Sequence, residues 1–513
     1  MSAWRQRETA TLGLSLAVFF IFQFLWPQLP MPWPDESIFF TSGRDLVEKQ
    51  IWHMPVWSYL GAPYTNANFN LMPLYSLLVY GWIRLVHLES VAAVPIFQII
   101  LSAPTLVILY VWFKKSCASP SWRRAALGLF LSAPFLYYNA HTLRPETLIS
   151  TDMVALCYLA WHHSQLQGGW KRWGSCTLIA LLLAVGAYLH FNAIVLIPMV
   201  CLLMWDRRHL SRTMTDLIVI GGITIVLLSP WCFYASRHLE EFRVMFFDQT
   251  HRMYTSPEHR LVSWNTIFKI WLTPILLGMT SGHISFLVVY IFYAVTAAGL
   301  CVWHVTHHTL SELTRRLGYC LLWTIIFHAF HQEQWFRVYV EIGLMIFLCF
   351  LFLDTVGKAN VPALAWVAII TIIVTVAAPL INSAHRVYSK DNFSKSVACL
   401  IDKIPPRQTV VVAALPDPSL AILLARPDIV IQRMADFDKY RPEWIKLVNR
   451  ETYFITADYT QKPFNGSTLI PHDFGAALEK RLRLGDQEHR LQQVSCPTGN
   501  IPLYRFVISE QKS

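Results

Sequence analysis

Charge is what this sequence has least of. Only 14% of its 513 residues are Asp, Glu, Lys or Arg, against about 25% in a typical soluble chain, which argues against a soluble globular protein. No G-x-G-x-x-G stands in the polar C-terminal part, so no nucleotide site is indicated there. The ten cysteines include no C-x-x-C pair. Most lie in apolar runs, where Cys behaves as a small hydrophobe. There is no internal repeat, no low-complexity segment and no basic tail with interleaved aromatics, so the net charge of +10 does not point to nucleic acid. The first apolar run has no small-residue cleavage site after it, which predicts a retained signal anchor.

What the sequence does have is apolar length. Hydrophobic residues make up 54% of it, in runs of about twenty separated by short basic loops, the pattern of a polytopic α-helical membrane protein. Lys114, Lys115, Arg123, Arg124, Lys171, Arg172, Arg207, Arg208, Arg315 and Arg316 fall in those loops. They act as a positive-inside signal and predict about eleven transmembrane helices. The spans are expected at 10–29, 91–113, 124–139, 147–164, 174–190, 192–206, 215–235, 283–304, 317–331, 338–354 and 361–381. The N-terminus is then cytoplasmic and the C-terminus outside. Outer loops cover 31–71, 140–147 and 236–266, with juxtamembrane helices at 73–88 and 266–278.

The chain divides into a membrane domain, 1–385, and a small extracytoplasmic α/β domain, 386–513. In the latter TVVVAAL, TYFITAD and LYRFVIS predict strands and 472–484 a helix. Cys399 and Cys496 are the cysteines of this part, and outside the cell they are able to pair.

Two outer loops each carry a carboxylate where a helix begins. Asp35 precedes ESIFFTSGRDLVEKQIW, whose Phe39, Leu46 and Val47 oppose Glu36, Arg44, Glu48 and Lys49. This predicts an amphipathic helix on the outer membrane face. Asp35 is either its N-cap or a general base at the water–lipid boundary. Glu146 in LRPETL has the same two readings, a carboxylate favoured by the helix dipole or a second catalytic acid, with Arg144 two residues away.

At PDESIFFTSGRDLVEKQIW, MPLYSLLVYGWIRLV and LRPETLIS the chain resembles the GT-C superfamily of polytopic glycosyltransferases. The branch it is most similar to holds the aminoarabinose lipid A transferases and protein O-mannosyltransferases. The resemblance covers roughly 1–385 and implies a polyprenyl-phosphate sugar donor used at the outer face. Asp35 would deprotonate an acceptor hydroxyl, which attacks the anomeric carbon with inversion. Two departures concern the phosphate contacts. Ile38 stands where the lipid A transferases have a basic residue, and NFNLMPL lacks the Lys they carry before the Pro-Leu helix.

A leaving phosphate needs cationic donors. The outer positions offer Arg144, Arg243, His251, Arg252, His259, Arg260, Lys269 and Arg337, with His190 and Glu36 as further substrate contacts. The residues single out no cofactor, and a divalent metal is compatible with His328, His331 and Glu333. His162–His163 and His307–His308 lie at the inner face, away from the expected chemistry. The acceptor is a lipid, glycan or protein. The competing readings are a lipid or polysaccharide transporter and a non-catalytic envelope-assembly protein. A bacterial inner membrane is expected, and the outer sequons at Asn392 and Asn465 keep an endoplasmic reticulum membrane open.

Overall fold

The computed structural model describes residues 3–25, 35–88 except 61 and 70, 93–131 except 95 and 118, 140–245 except 142, 207 and 208, 311–329, the positions 344, 347, 348, 350, 351 and 354, 390–433 except 414–416, 452–456, 489–494 and 503–508. The helices in chain order are α1 (Ala3–Leu25), α2 (Asp35–Lys49), α3 (Ala62–Asn66), α4 (Pro73–Val86), α5 (Ile96–Ser116), α6 (Pro120–Leu131), α7 (Glu146–Ser164), α8 (Trp170–Leu189), α9 (Leu196–Met204), α10 (Leu210–Arg237), α11 (Glu312–Ala329), α12 (Lys390–Lys403) and α13 (Ser419–Ala425). Short 3₁₀ segments occupy Pro55–Leu60 and Phe191–Val195.

Among the described residues α5, α8 and α10 are the helices long and apolar enough to cross a membrane. With three such helices the chain is a multi-pass membrane protein. The longest, α10, has 28 residues, or about 42 Å at 1.5 Å per residue, against a hydrocarbon core of about 30 Å. Helix α7 was expected as a span. It is less apolar and buries Ser150, Asp152 and His163 among its neighbours. The run at 192–206, also expected as a span, folds as a 3₁₀ turn followed by the nine-residue α9. Together these reach about 24 Å, and they carry the chain back from the end of α8, where Tyr188 meets the Leu227 carbonyl, to the start of α10 beside Leu166. The spans expected at 283–304 and 361–381, the juxtamembrane helix at 266–278 and the helix at 472–484 lie outside the described residues.

Contacts at the two ends of α10 define two ends of the array. At its start Arg212 donates to the Leu166 carbonyl (2.7 Å), and Arg172 pairs with Asp216. At its finish the Tyr234 hydroxyl donates to the Trp52 carbonyl (2.9 Å), and the Phe69 ring meets Trp231 and Phe242 at 5.6 and 5.2 Å. The loop around 50–69 and the segment 231–245 therefore share one end. The 163–172 turn sits at the other.

The C-terminal part contributes a five-stranded sheet, β1 (Thr409–Ala413), β2 (Val430–Arg433), β3 (Thr452–Thr456), β4 (His489–Val494) and β5 (Leu503–Ile508), in the order β2-β1-β3-β5-β4. Strands β2, β1 and β3 run parallel, and β5 and β4 complete the sheet antiparallel. Val410, Val412 and Ile455 fill its core, and a buried Arg433–Asp417 pair (2.5 Å) closes the β2 end. Gln432 ties the sheet to the helical part. Its amide donates to the Pro55 carbonyl and to Ser58 Oγ, both at 3.2 Å. The sheet thus rests on the loop that follows α2, at the same end of the array as 50–69.

Candidate active site between α2 and α7

Helix α2 was expected to lie on a surface with Leu46 and Val47 turned to lipid. Instead its first three turns are enclosed. Glu36, Ser37, Ile38, Phe39, Phe40, Thr41, Ser42 and Gly43 are buried, as is Asp45, while Val47 is 53% exposed. The reason is α4, which crosses α2 closely. A Cβ added at Gly43 would lie 2.2 Å from the Ser76 carbonyl oxygen, so glycine is required at this crossing. Phe39 then sets its ring edge on Tyr75 at 4.6 Å. Helix α4 starts cleanly because Pro73 occupies its first turn, where the missing N–H has no partner to lose. It ends at His87, which adopts the left-handed conformation (φ 50°).

This packing brings the start of α2 against the 143–146 turn that opens α7. Arg144 is the link. One terminal nitrogen contacts Asp35 Oδ2 at 3.1 Å and the other Glu146 Oε1 at 3.1 Å. Its Nε donates to both Glu146 oxygens, at 3.1 and 3.3 Å. Glu36 accepts the Leu143 backbone N–H at 3.4 Å, which binds α2 to the same turn. The two carboxylates singled out in the sequence are thus joined through one guanidinium.

The three acids differ in access to water. Glu36 and Glu146 are 4% and 2% exposed, whereas the Asp35 side chain is 33% exposed. Asp35 is the one of the three open to solvent.

Two further side chains complete the wall. The Tyr75 hydroxyl donates to Gln98 Oε1 at 2.8 Å. The Gln98 amide donates to the Ala140 carbonyl at 3.5 Å, at the start of the turn that carries Arg144. Burial, together with the negative charges of Glu146 and Glu36, pushes the Tyr75 phenol well above its ordinary pKa against the opposing effect of Arg144. Tyr75 is therefore a neutral donor at physiological pH. Sequence reasoning did not single out Tyr75 or Gln98 as site residues. Nothing in local spacing marks a Gln inside a 21-residue apolar helix as a hydrogen-bond partner of a Tyr 23 residues earlier.

Behind this site Asp45 forms a second charged cluster that sequence reasoning also missed. It accepts from Arg44 Nε (3.1 Å), Lys49 Nζ (2.9 Å) and His53 Nε2 (2.7 Å). Burial pushes the Asp45 carboxyl up. The hydrogen bonds from His53 and Lys49 and the charges of Arg44 and Lys49 outweigh it and hold the carboxyl at about 2. Because His53 lies in the chain returning from α2, this cluster fixes the direction of that return.

Of the remaining expected contacts, His190 ends α8, with its N–H donated to the Gly186 carbonyl at 3.0 Å. Arg243 is exposed. Arg252, His259, Arg260, Lys269 and Arg337 lie outside the described residues, as do His251, His331, Glu333 and the side chain of His328. Between Asp35 and Glu146 the space is taken by the Arg144 guanidinium, and among the described residues these acids do not converge as a metal-ligand set.

No protein-family model and no curated protein matches the sequence. The structure is similar to ArnT from Cupriavidus metallidurans bound to undecaprenyl phosphate, with a TM-score of 0.62 and 12% identity over 97% of each chain. It is also similar to the Archaeoglobus fulgidus oligosaccharyltransferase in complex with Zn and sulfate, with a TM-score of 0.60 and 11% identity over 97% of this chain and 74% of that one. ArnT in its apo state gives a TM-score of 0.58 and 13% identity over 98% of each chain. Both proteins are GT-C superfamily members, so the resemblance carried by the loop motifs holds at the level of fold. This chain has the GT-C fold.

Proposed function

We propose that the protein is a membrane glycosyltransferase that moves a sugar from a polyprenyl-phosphate-linked donor to a hydroxyl of a lipid, glycan or protein, with inversion. The observation that carries this reading is Asp35, the water-accessible acid of the cluster, held by Arg144 in a turn that Glu146 and Glu36 brace. Asp35 accepts the proton of the acceptor hydroxyl as its oxygen bonds to the anomeric carbon. The bond from that carbon to the phosphate oxygen breaks, and polyprenyl phosphate leaves with the electron pair. A base fixed beside the proton it removes is worth roughly 10²–10⁴ in rate. Glu146 acts by holding Arg144. The cations that receive the leaving phosphate are Arg144 together with members of Arg252, His259, Arg260, Lys269 and Arg337, and His190 contributes to the substrate wall. The likeness in fold to a protein bound to undecaprenyl phosphate supports the choice of donor.

The reaction takes place on the outer face of a bacterial inner membrane, with the C-terminal sheet as an extracytoplasmic domain, 386–513, that rests on the active-site loop. Eleven spans put the C-terminus on that side. The contact between Gln432 and the 55–58 segment supports this arrangement, since both ends of it must lie on one side of the membrane.

One observation favours transport as a second reading. Asp152 in α7 is 5% exposed, and both its carboxylate oxygens have no hydrogen-bond partner among the described residues. Buried acids of this kind serve transport pathways in many membrane proteins. Mass spectrometry of envelope lipids, glycans and glycoproteins from wild-type and deletion cells separates the two. A transferase leaves one molecule lacking a sugar and its lipid-linked donor accumulating. A transporter leaves a complete product retained on the inner side, and that result would overturn the transferase reading.

A further inference from the structure

At the end of the array opposite the carboxylate site, three helices converge on a different chemistry. His163 lies in the last turn of α7, Cys176 in the second turn of α8 and Asp216 in the second turn of α10. They are 1%, 0% and 6% exposed. One ligand atom from each falls within 4.8 Å of the others. His163 Nε2 stands 3.1 Å from Asp216 Oδ2 and 4.0 Å from Cys176 Sγ.

We propose that His163, Cys176 and Asp216 bind a zinc ion that joins the ends of α7, α8 and α10. Zinc takes imidazole and carboxylate at about 2.0 Å and thiolate at about 2.3 Å in a tetrahedron, which puts nitrogen and oxygen ~3.3 Å apart and nitrogen and sulfur ~3.5 Å apart. The separations from His163 to Asp216 and to Cys176 fall within about half an ångström of those edges, and all three atoms lie within 4.8 Å of one another. Among the described residues the hydrogen-bond contact of the thiol is the one to His163 at 4.0 Å, the outer limit of a sulfur hydrogen bond. A metal gives it a bonding partner, with the thiol proton released to solvent as the sulfur–zinc bond forms. Thiolate with imidazole selects zinc over magnesium or calcium, which prefer all-oxygen sites.

Arg172 is the competing cation. Its Nε donates to Asp216 Oδ1 at 3.0 Å and a terminal nitrogen contacts Oδ2. Its other terminal nitrogen donates to the Leu166 carbonyl at 3.0 Å. The ion takes Oδ2 in place of the guanidinium nitrogen. Arg172 stays on Oδ1 and Leu166 as the outer partner that orients the carboxylate, the arrangement in which ligating carboxylates are commonly held. The three ligands come from the terminal turns of their helices and not from mid-helix positions.

The test uses the full-length protein purified in detergent from zinc-supplemented cells, with an affinity tag free of histidine. Elemental mass spectrometry is expected to find about one zinc per chain, falling at least tenfold in Cys176→Ser and in His163→Gln. Exchange of zinc for cobalt is expected to give a thiolate-to-cobalt charge-transfer band in the wild type. Wild-type protein with less than roughly a tenth of an equivalent of zinc, or a Cys176→Ser variant that keeps the wild-type content, overturns the proposal. If the variants do not fold, the cobalt spectrum of the wild type decides alone: absence of the thiolate band after loading overturns it.

Discussion

Arg144 carries a disproportionate share of the site. It neutralises Glu146, which is 2% exposed, and it also reaches Asp35. Removing one partner of a buried pair leaves the other as an uncompensated charge, at a cost of about 3–5 kcal/mol. Arg144→Leu is therefore expected to lower the thermal midpoint and the membrane level of the protein strongly. Arg144→Lys should restore folding only in part, because an ammonium is a point charge and does not fork between two carboxylates. A thermal-shift series in detergent checks this, and equal midpoints for wild type and Arg144→Leu would contradict it. Asp45 makes a prediction in pH. Its carboxyl is held at about 2 in the folded protein, below the unfolded value near 3.9. Its contribution to stability is present above the unfolded pKa and is lost as pH falls through the folded one. The gap in thermal midpoint between wild type and Asp45→Asn should be constant above roughly pH 5 and shrink as the pH approaches 2.

At the scale of elements, the crossing of α2 and α4 has a sharp sequence dependence. In an ordinary helix interior Gly→Ala stabilises by about 1 kcal/mol. At Gly43 the sign should reverse. The new methyl would meet a backbone carbonyl at 2.2 Å, which cannot rotate away, and overpacking of this kind costs about 1–3 kcal/mol. A lower melting temperature for Gly43→Ala, beside a raised one for Gly81→Ala, where a Cβ meets nothing within 4 Å, tests the point. The same crossing explains why part of this helix was readable and part was not. The start of α2 at Asp35 follows from local signals, and so does its length. Its burial does not. That depends on α4, some thirty residues later, packing over the face that holds Phe39, Phe40 and Gly43, and on His53 reaching Asp45 from the other side. A polar residue whose partner arrives by tertiary contact looks, in sequence, like a solvated one. For the same reason Asp35 and Glu146 could be named from their positions before helices, while Gln98 and His53 could not. In the C-terminal part β1, β3 and β5 were visible as β-branched and aromatic runs. Strand β4, HRLQQV, has no such run and is a strand because it pairs with β5.

At the scale of the whole molecule, the side on which each part lies governs the chemistry available to it. The sheet and the loop after α2 are held together through Gln432. Cys399 in α12 is disulfide-bonded, with its partner outside the described residues. A disulfide persists in an oxidising compartment, which fits an extracytoplasmic position for this part. We expect non-reducing peptide mapping to recover Cys399 linked to Cys496. Recovery of Cys399 as a free thiol from intact cells would argue that the sheet and the active-site loop face the cytoplasm. The membrane character of the chain follows from its apolar runs, whose logic is global and readable in sequence. The division of 192–206 into a 3₁₀ turn and the short α9 is not, because an apolar run of that length reads equally as one continuous helix.

The proposed role of Asp35 as the base in the transfer is open to a direct comparison. Deletion cells carrying wild-type protein or Asp35→Asn, matched for membrane level by blot, are compared by mass spectrometry for the sugar missing in the deletion. Wild type is expected to restore the sugar, and Asp35→Asn, although folded and present, to lower it by at least about 100-fold. Full restoration by Asp35→Asn would contradict that role, leaving Asp35 as a structural partner of Arg144.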